Sequence, residues 1–232
     1  ITKKKNLIFI ENGLLSIKTV FNKAIEYKKV ILHNGDKPPN DYILQTFVNK
    51  KINVFGTNLK FKNKYIEPIP IGLQNAFRER NGDLSYYNPI NLSTIKIKKE
   101  NILLISFTIH TNPKVRKDYI SILKKYNYKN KYFRNLKDYR KVLSSSYFLI
   151  SPPGNGIDCH RTWEALIHKT IPVIEKKYYL FSHIDLPILL VDNIKQFLDY
   201  SNEEKIKIYK KIIRKPFEKI YMQWWIDYII NK

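Results

Sequence analysis

Apolar residues along this chain follow two alternating rhythms. Short runs rich in β-branched and aromatic residues, "NLIFI" (6–10), "KVILHN" (29–34) and "INVFGTN" (52–58), each give way to polar or turn residues, as strands of a buried sheet do. Between them, Leu14, Ile17, Val20 and Phe21, then Ile43, Leu44, Phe47 and Val48, recur at helical spacing. Strand–helix–strand–helix–strand predicts a parallel sheet with covering helices, because parallel neighbours need a crossover connection. "KYIEPIPIGLQNAF" (64–77) follows, stiffened by Pro68 and Pro70 and ended by Gly72.

Residues 81–99 lose both rhythms and read as a linker. A second alternation then starts: a buried strand "NILLISF" (101–107), and a helix over 111–127 with Thr111 or Asn112 as cap and Pro113 in its first turn. A shorter helix (136–146), a strand "YFLIS" (147–151), a helix (161–169) and strands "TIPVI" (170–174) and "ILLVDN" (188–193) complete it. Ser201 with Glu204 predicts a capping box opening a helix to about residue 214, Pro216 breaks it, and "FEKIYMQWWIDYIIN" starts another. The expected fold is α/β, with two Rossmann-like parallel-sheet domains, 1–90 and 91–232, facing a cleft that is the natural ligand site.

The charge is +22, but only seven of the 42 basic residues are Arg. Lys, Asn, Ile and Tyr, all abundant here, share A/T-rich codons, so much of the charge is as readily genomic bias as selection for a polyanion. No arginine cluster or aromatic RNA-binding signature accompanies it, so nucleic acid is not the expected partner. One cysteine, Cys159, excludes an internal disulfide framework. No apolar run reaches the roughly 20 residues of a membrane-spanning helix. The expected location is cytoplasmic, in a host cell if the chain is viral. Because the chain begins at Ile1, it is also compatible with a longer polypeptide whose upstream anchor would place it in the Golgi lumen.

The densest chemistry lies in "SPPGNGIDCHRTWEALIHKTIPVI" (151–174). A strand ends at Ser151, a glycine-containing loop follows, and a helix opens near Cys159 to Arg161. A helix start at the carboxyl end of a parallel strand offers unpaired N–H groups and partial positive charge to a phosphate. Gly154 and Gly156 allow close backbone approach, and Arg161 can make a bidentate contact to a diphosphate. His160, Glu164 and His168, four apart, share one face; Trp163, Leu166 and Ile167 form the apolar stripe. An ordinary capped βα turn accounts for the same pattern.

This segment closely resembles the nucleotide-sugar-binding segment of exostosin-like glycosyltransferases, roughly F-L-S-P-x-G-x-G-x-D-x-H-R-x-W-E-A-L-x-x-G-x-I-P-V. Gly154, Gly156, Asp158, His160, Arg161, Trp163, Glu164, Ala165, Leu166, Ile171, Pro172 and Val173 fall on it. It departs at Pro153, where a basic residue is frequent, and at Lys169, where Gly is usual. Weaker echoes are "VILHNGD" (30–36) with a viral and microbial "HNSD" segment, "PIPIGLQN" (68–75) with "PLPIGIAN", and "SFTIHTNPKVR" (106–116) with F-x-x-x-T-N-x-x-x-R.

The resemblance implies a GT-B architecture, with C-terminal helices packing across both domains and the donor held by the second. It implies transfer of a sugar from a UDP- or GDP-sugar to a hydroxyl of a glycan or glycoconjugate. The expected reaction is metal-independent and inverting, though family membership by itself fixes neither the sugar nor the configuration. Arg116, Thr108, Gly154, Asn155, Gly156, Asp158, His160, Arg161 and Glu164 would line the donor site, with Glu164 on the ribose and Asp158 orienting His160 or Arg161. Asn75 would line the acceptor cleft. The general base would be Asp36 or His33, with Glu11 as the alternative, all after strands of the first domain. No Asp-x-Asp motif or His/Cys cluster suggests a metal or other cofactor. The rival reading is a non-catalytic module binding a nucleotide or glycan within a larger protein; a basic nucleic-acid-binding protein is the remaining alternative.

Overall fold

The computed structural model describes residues 5–33, 35–37, 39–60, 63–73, 98–182 and 184–232. The predicted boundary at 90/91 and Asn75 lie outside them. The first unit holds β1 (Lys5–Glu11), β2 (Tyr27–His33), β3 (Asn53–Gly56) and β4 (Ile66–Pro68), and the second holds β5 (Asn101–Leu104), β6 (Ser146–Ile150), β7 (Ile171–Glu175) and β8 (Leu189–Val191). Each set forms one four-stranded sheet in sequence order, with every pairing parallel. The fold is therefore α/β, as the alternation predicts.

In the first unit, α1 (Lys18–Ala24) and α2 (Asp41–Asn49) cover one sheet face. Ile10, Val30, Leu32, Val54 and Ile66 meet Leu44 and Phe47 there, all buried. The expected helix from Leu14 begins later: Asn12–Ser16 is a 3-10 turn, and Leu14 and Ile17 are left exposed.

The second sheet is covered on both faces. On one lie α3 (Pro113–Lys125), α6 (Ile194–Asp199) and α7 (Asn202–Ile212), packing Tyr119, Leu123, Phe197 and Ile212 on Phe148 and Ile150. On the other lie α4 (Leu136–Ser144) and α5 (His160–Ile167), packing Leu143 and Ala165 on Leu104 and Leu149. Asn residues cap α2, α3, α4 and α6, each side chain accepting a backbone N–H three residues on. The Ser201–Glu204 box on α7 is complete.

The expected linker ends in a firm anchor. Lys99 Nζ donates to the carbonyls of Ser144 and Ser146 at 2.8 Å each, to His168 O at 3.3 Å and to Thr170 Oγ1 at 3.2 Å. It thus closes the C-terminal ends of α4 and α5.

The last helix, α8 (Met222–Asn231), returns to the first unit. Ile229 packs on Ile31 and Phe55, the sheet face opposite α1 and α2. Lys29 Nζ donates to the carbonyls of Ile229 and Ile230 at 2.8 and 2.6 Å, and Tyr228 and Lys232 both bond the buried Glu67 carboxylate. Trp225 meanwhile packs with Trp163 and Phe181 of the second unit. Among the described residues, no helix is long and apolar enough to cross a membrane.

Candidate functional site

Residues at the carboxyl ends of both sheets line one cleft of about 2080 Å³. Ordinary ligand pockets run to roughly 300–1,000 Å³, so the volume accommodates two sizeable ligands together. Glu11, His33, Asp36 and the 69–73 segment line the first unit's side, and Thr108, Arg116, the 154–156 loop, Asp158, His160, Arg161 and Glu164 the second's. The structure thus gathers every described candidate residue around one space.

Arg116, on α3, is 2% exposed and sits beneath the loop. Its Nε donates to Pro153 O at 2.8 Å, Nη1 to Thr108 O at 2.5 Å and to Thr111 Oγ1, and Nη2 to Pro152 O at 3.4 Å. Four of its five N–H groups therefore have protein acceptors. Its place is that of a clamp shaping the loop that follows β6, rather than an open diphosphate ligand. Burial first, then the neighbouring Arg161 cation, pulls its pKa down to about 10, so it stays charged at neutral pH.

The glycines have the same explanation. A Cβ on Gly154 would lie 2.9 Å from the Arg116 Nη2, and one on Gly156 only 2.4 Å from the Asn58 amide nitrogen. Both positions are closed to a side chain by protein atoms before any ligand arrives. Gly154 N–H itself donates to Gly156 O at 2.9 Å and to Cys159 Sγ at 3.1 Å. Cys159 is a packed residue whose thiol burial pushes up, not a nucleophile poised to ionise.

Asp158 does not orient His160 or Arg161. Its carboxylate accepts from Trp163 Nε1 at 2.9 and 3.0 Å and from the Ile71 N–H of the first unit at 2.8 Å. Its own N–H donates to Asn58 Oδ1 at 2.7 Å. Burial raises the carboxyl to about 7, although those N–H groups oppose the rise. His160 Nδ1 lies 2.8 Å from Gly72 O; a carbonyl can only accept, so Nδ1 carries the proton and a neutral ring keeps Nε2 as an acceptor. Asn155 Nδ2 donates to Asp36 Oδ2 at 3.3 Å. Three candidate donor residues therefore join the two units as well as lining the cleft.

Asn58 is the residue the sequence reading misses. It is 1% exposed, has φ of 57°, and bonds both Gly35 O and Asp158 N–H. The "GTN" after a strand signals an Asn-tolerant left-handed turn, yet nothing local tells that its amide reaches another unit.

Arg161, in the first turn of α5, is different in kind. Its guanidinium lies over Phe107 at 5.8 Å, beside that of Arg116 at 5.6 Å from the same ring. Its Nη1 is buried, and among the described residues no hydrogen-bond partner reaches it. The N-cap of α5, Cys159, supplies no side-chain bond to the helix start. Two guanidinium groups, an orphan donor and an uncapped helix start together favour an anion, because each otherwise costs free energy when shielded from water.

Glu164 lies one turn further on and is 8% exposed; Tyr139 OH donates to its Oε2 at 3.2 Å. His168 leaves the shared face, because α5 ends at Ile167, and its Nδ1 pairs with Ser144 Oγ at 2.8 Å. Thr108 is exposed and lines the cleft, its carbonyl held by Arg116.

Across the cleft, Glu11 and His33 are register partners at the ends of β1 and β2, so their side chains rise on the same sheet face. Asp36 follows in the next turn. Among the described residues no three His, Cys, Asp or Glu side chains gather as a metal-ligand group. No protein-family model matches the chain, and a search of characterised proteins returns no match.

Proposed function

We propose that the chain is a glycosyltransferase of GT-B type, moving a sugar from a nucleotide-sugar donor to a hydroxyl of a glycan or glycoconjugate. The observation that carries this reading is the orphan Arg161 Nη1 at the uncapped start of α5, inside a cleft between the carboxyl ends of two parallel sheets. The likeness of residues 151–174 to the exostosin-like donor segment supports it independently.

In this reading the donor diphosphate lies against Arg161 and the first N–H groups of α5, and Glu164 accepts hydrogen bonds from the ribose. Glu11, His33 or Asp36 accepts the proton of the acceptor hydroxyl. The acceptor oxygen bonds the anomeric carbon from the opposite side, and the carbon–oxygen bond to the diphosphate breaks. Its electron pair leaves with the nucleoside diphosphate, whose growing charge Arg161 and the helix start stabilise without a metal.

Thermal stabilisation by UDP-, GDP-, ADP- and CMP-sugars tests the donor site. One nucleotide class should raise the melting temperature of the wild type and leave Arg161→Ala unmoved, and nucleoside diphosphate should be released once an acceptor is supplied. Stabilisation without release would favour the non-catalytic binding module; no stabilisation by any donor would overturn the reading.

A further inference from the structure

The cleft is polar on one wall and apolar on another. Along β1, Leu7, Phe9 and Glu11 point to one face, whereas Ile8 and Ile10 pack into the helix-covered core. Phe9 is 64% exposed beside Glu11. The last helix, α8, packs on that same sheet face through Ile229, and its Met222, Ile226 and Ile230 also line the cleft, exposed by 75%, 41% and 61%. Such a set of exposed apolar side chains inside one concavity is unusual, because each leaves hydrocarbon in water.

The trough has a direction. Its polar end holds Glu11, His33 and Asp36, and its apolar part runs back along β1 for four residues, about 13 Å at strand rise. A glycan, with a hydroxyl on nearly every carbon, would need hydrogen-bond partners that Leu7, Phe9, Ile226 and Ile230 do not supply. A molecule polar at one end and hydrocarbon at the other fits the whole length.

We propose that this wall receives the aliphatic tail of an amphiphilic acceptor, its hydroxyl-bearing head lying among Glu11, His33 and Asp36. The substrate class is then a hydroxylated head group on a hydrocarbon chain rather than a free glycan. The catalytic meaning rests on the glycosyl-transfer reading; the binding does not.

The test is the affinity of hexyl, heptyl, octyl and nonyl glucoside, measured by titration calorimetry below their micelle concentrations. Each added methylene should tighten binding about three- to fourfold, as buried CH₂ groups do. Ile226→Glu and Ile230→Glu, both at exposed positions, should abolish that dependence. Leu14→Glu, an exposed apolar residue outside the cleft, should retain it. Affinity that ignores chain length, or that Leu14→Glu reduces equally, would overturn the proposal. So would concentration-dependent self-association removed by the Ile226 and Ile230 variants, which would make the wall a contact between copies. Chain-length dependence without any nucleotide-sugar stabilisation would sink the donor reading and leave the tail site standing.

Discussion

The two units solve the same problem differently. The second sheet is covered on both faces by its own helices, and the glycine-containing loop after β6 is held from beneath by Arg116 of its own α3. The first sheet has helices of its own on one face, and part of the other is closed by α8 from the far end of the chain. The second unit's side of the cleft thus rests largely on helices of its own unit, whereas the first unit's side is completed by a helix from the far end of the chain. Contacts that bridge residues 29 to 229 carry a large loop-closure cost and reward folding late.

The sharpest break in this contrast is Arg116→Ala. It removes a buried side chain and strands the carbonyls of Thr108, Pro152 and Pro153. A loss of about 3–5 kcal/mol is expected, read by denaturant unfolding. Hydrogen exchange should rise in the 152–156 loop while β1 and β2 remain protected. Next in size, Ile229→Ala should cost about 2–4 kcal/mol. Its exchange signature should be the reverse: protection lost in β2 and β3, and retained in β6 and β7. Similar exchange patterns in the two variants would show that the units do not differ in this way.

The smallest effect per unit concerns pH and the seam between the units. Asp158 holds its proton in the folded chain up to about 7, against 3.8 in the unfolded chain, so its burial makes stability fall as pH rises across that window. His168 acts oppositely. Burial, then the Arg140 and Lys99 cations, lower it to about 4 from 6.5, so the unfolded chain binds the extra proton between those values and stability rises with pH. Each slope is about 1.4 kcal/mol per pH unit, and over pH 4–6.5 they oppose one another. Asp158→Asn should therefore uncover a rise in stability from pH 4 to 6.5 that the wild type lacks. A flat profile in that variant would refute the assignment.

Much of the fold was legible because its signals are local. Asn112 before Pro113, Ser201 with Glu204, and the apolar spacing of Tyr119 and Leu123 each act within a turn or two of helix. Even the departure at Lys169 has a local account. It takes φ of 52° just past the end of α5, the left-handed position that glycine occupies without strain. The site was legible as a set of residue types, but its roles were not. Asp158 was expected to orient His160 or Arg161 and instead meets Trp163 and Ile71; Arg116, expected to line the donor site, does line the cleft but commits its guanidinium to the carbonyls of Pro152 and Pro153. Those partners lie between 5 and 87 residues away, and most exceed the reach of any periodicity.

The sequence by itself determined the alternation of strands and helices, the helix caps and the gathering of polar groups in residues 151–164, since each follows from neighbours along the chain. Tertiary structure alone decided that Asn58 would lock onto Gly156 and Asp158, and that Arg161 Nη1 would be left without an acceptor among the described residues while each guanidinium nitrogen of Arg116 found one. The reason is physical. A hydrogen-bond donor is assigned to the nearest available acceptor in space, and only packing determines which acceptors arrive there.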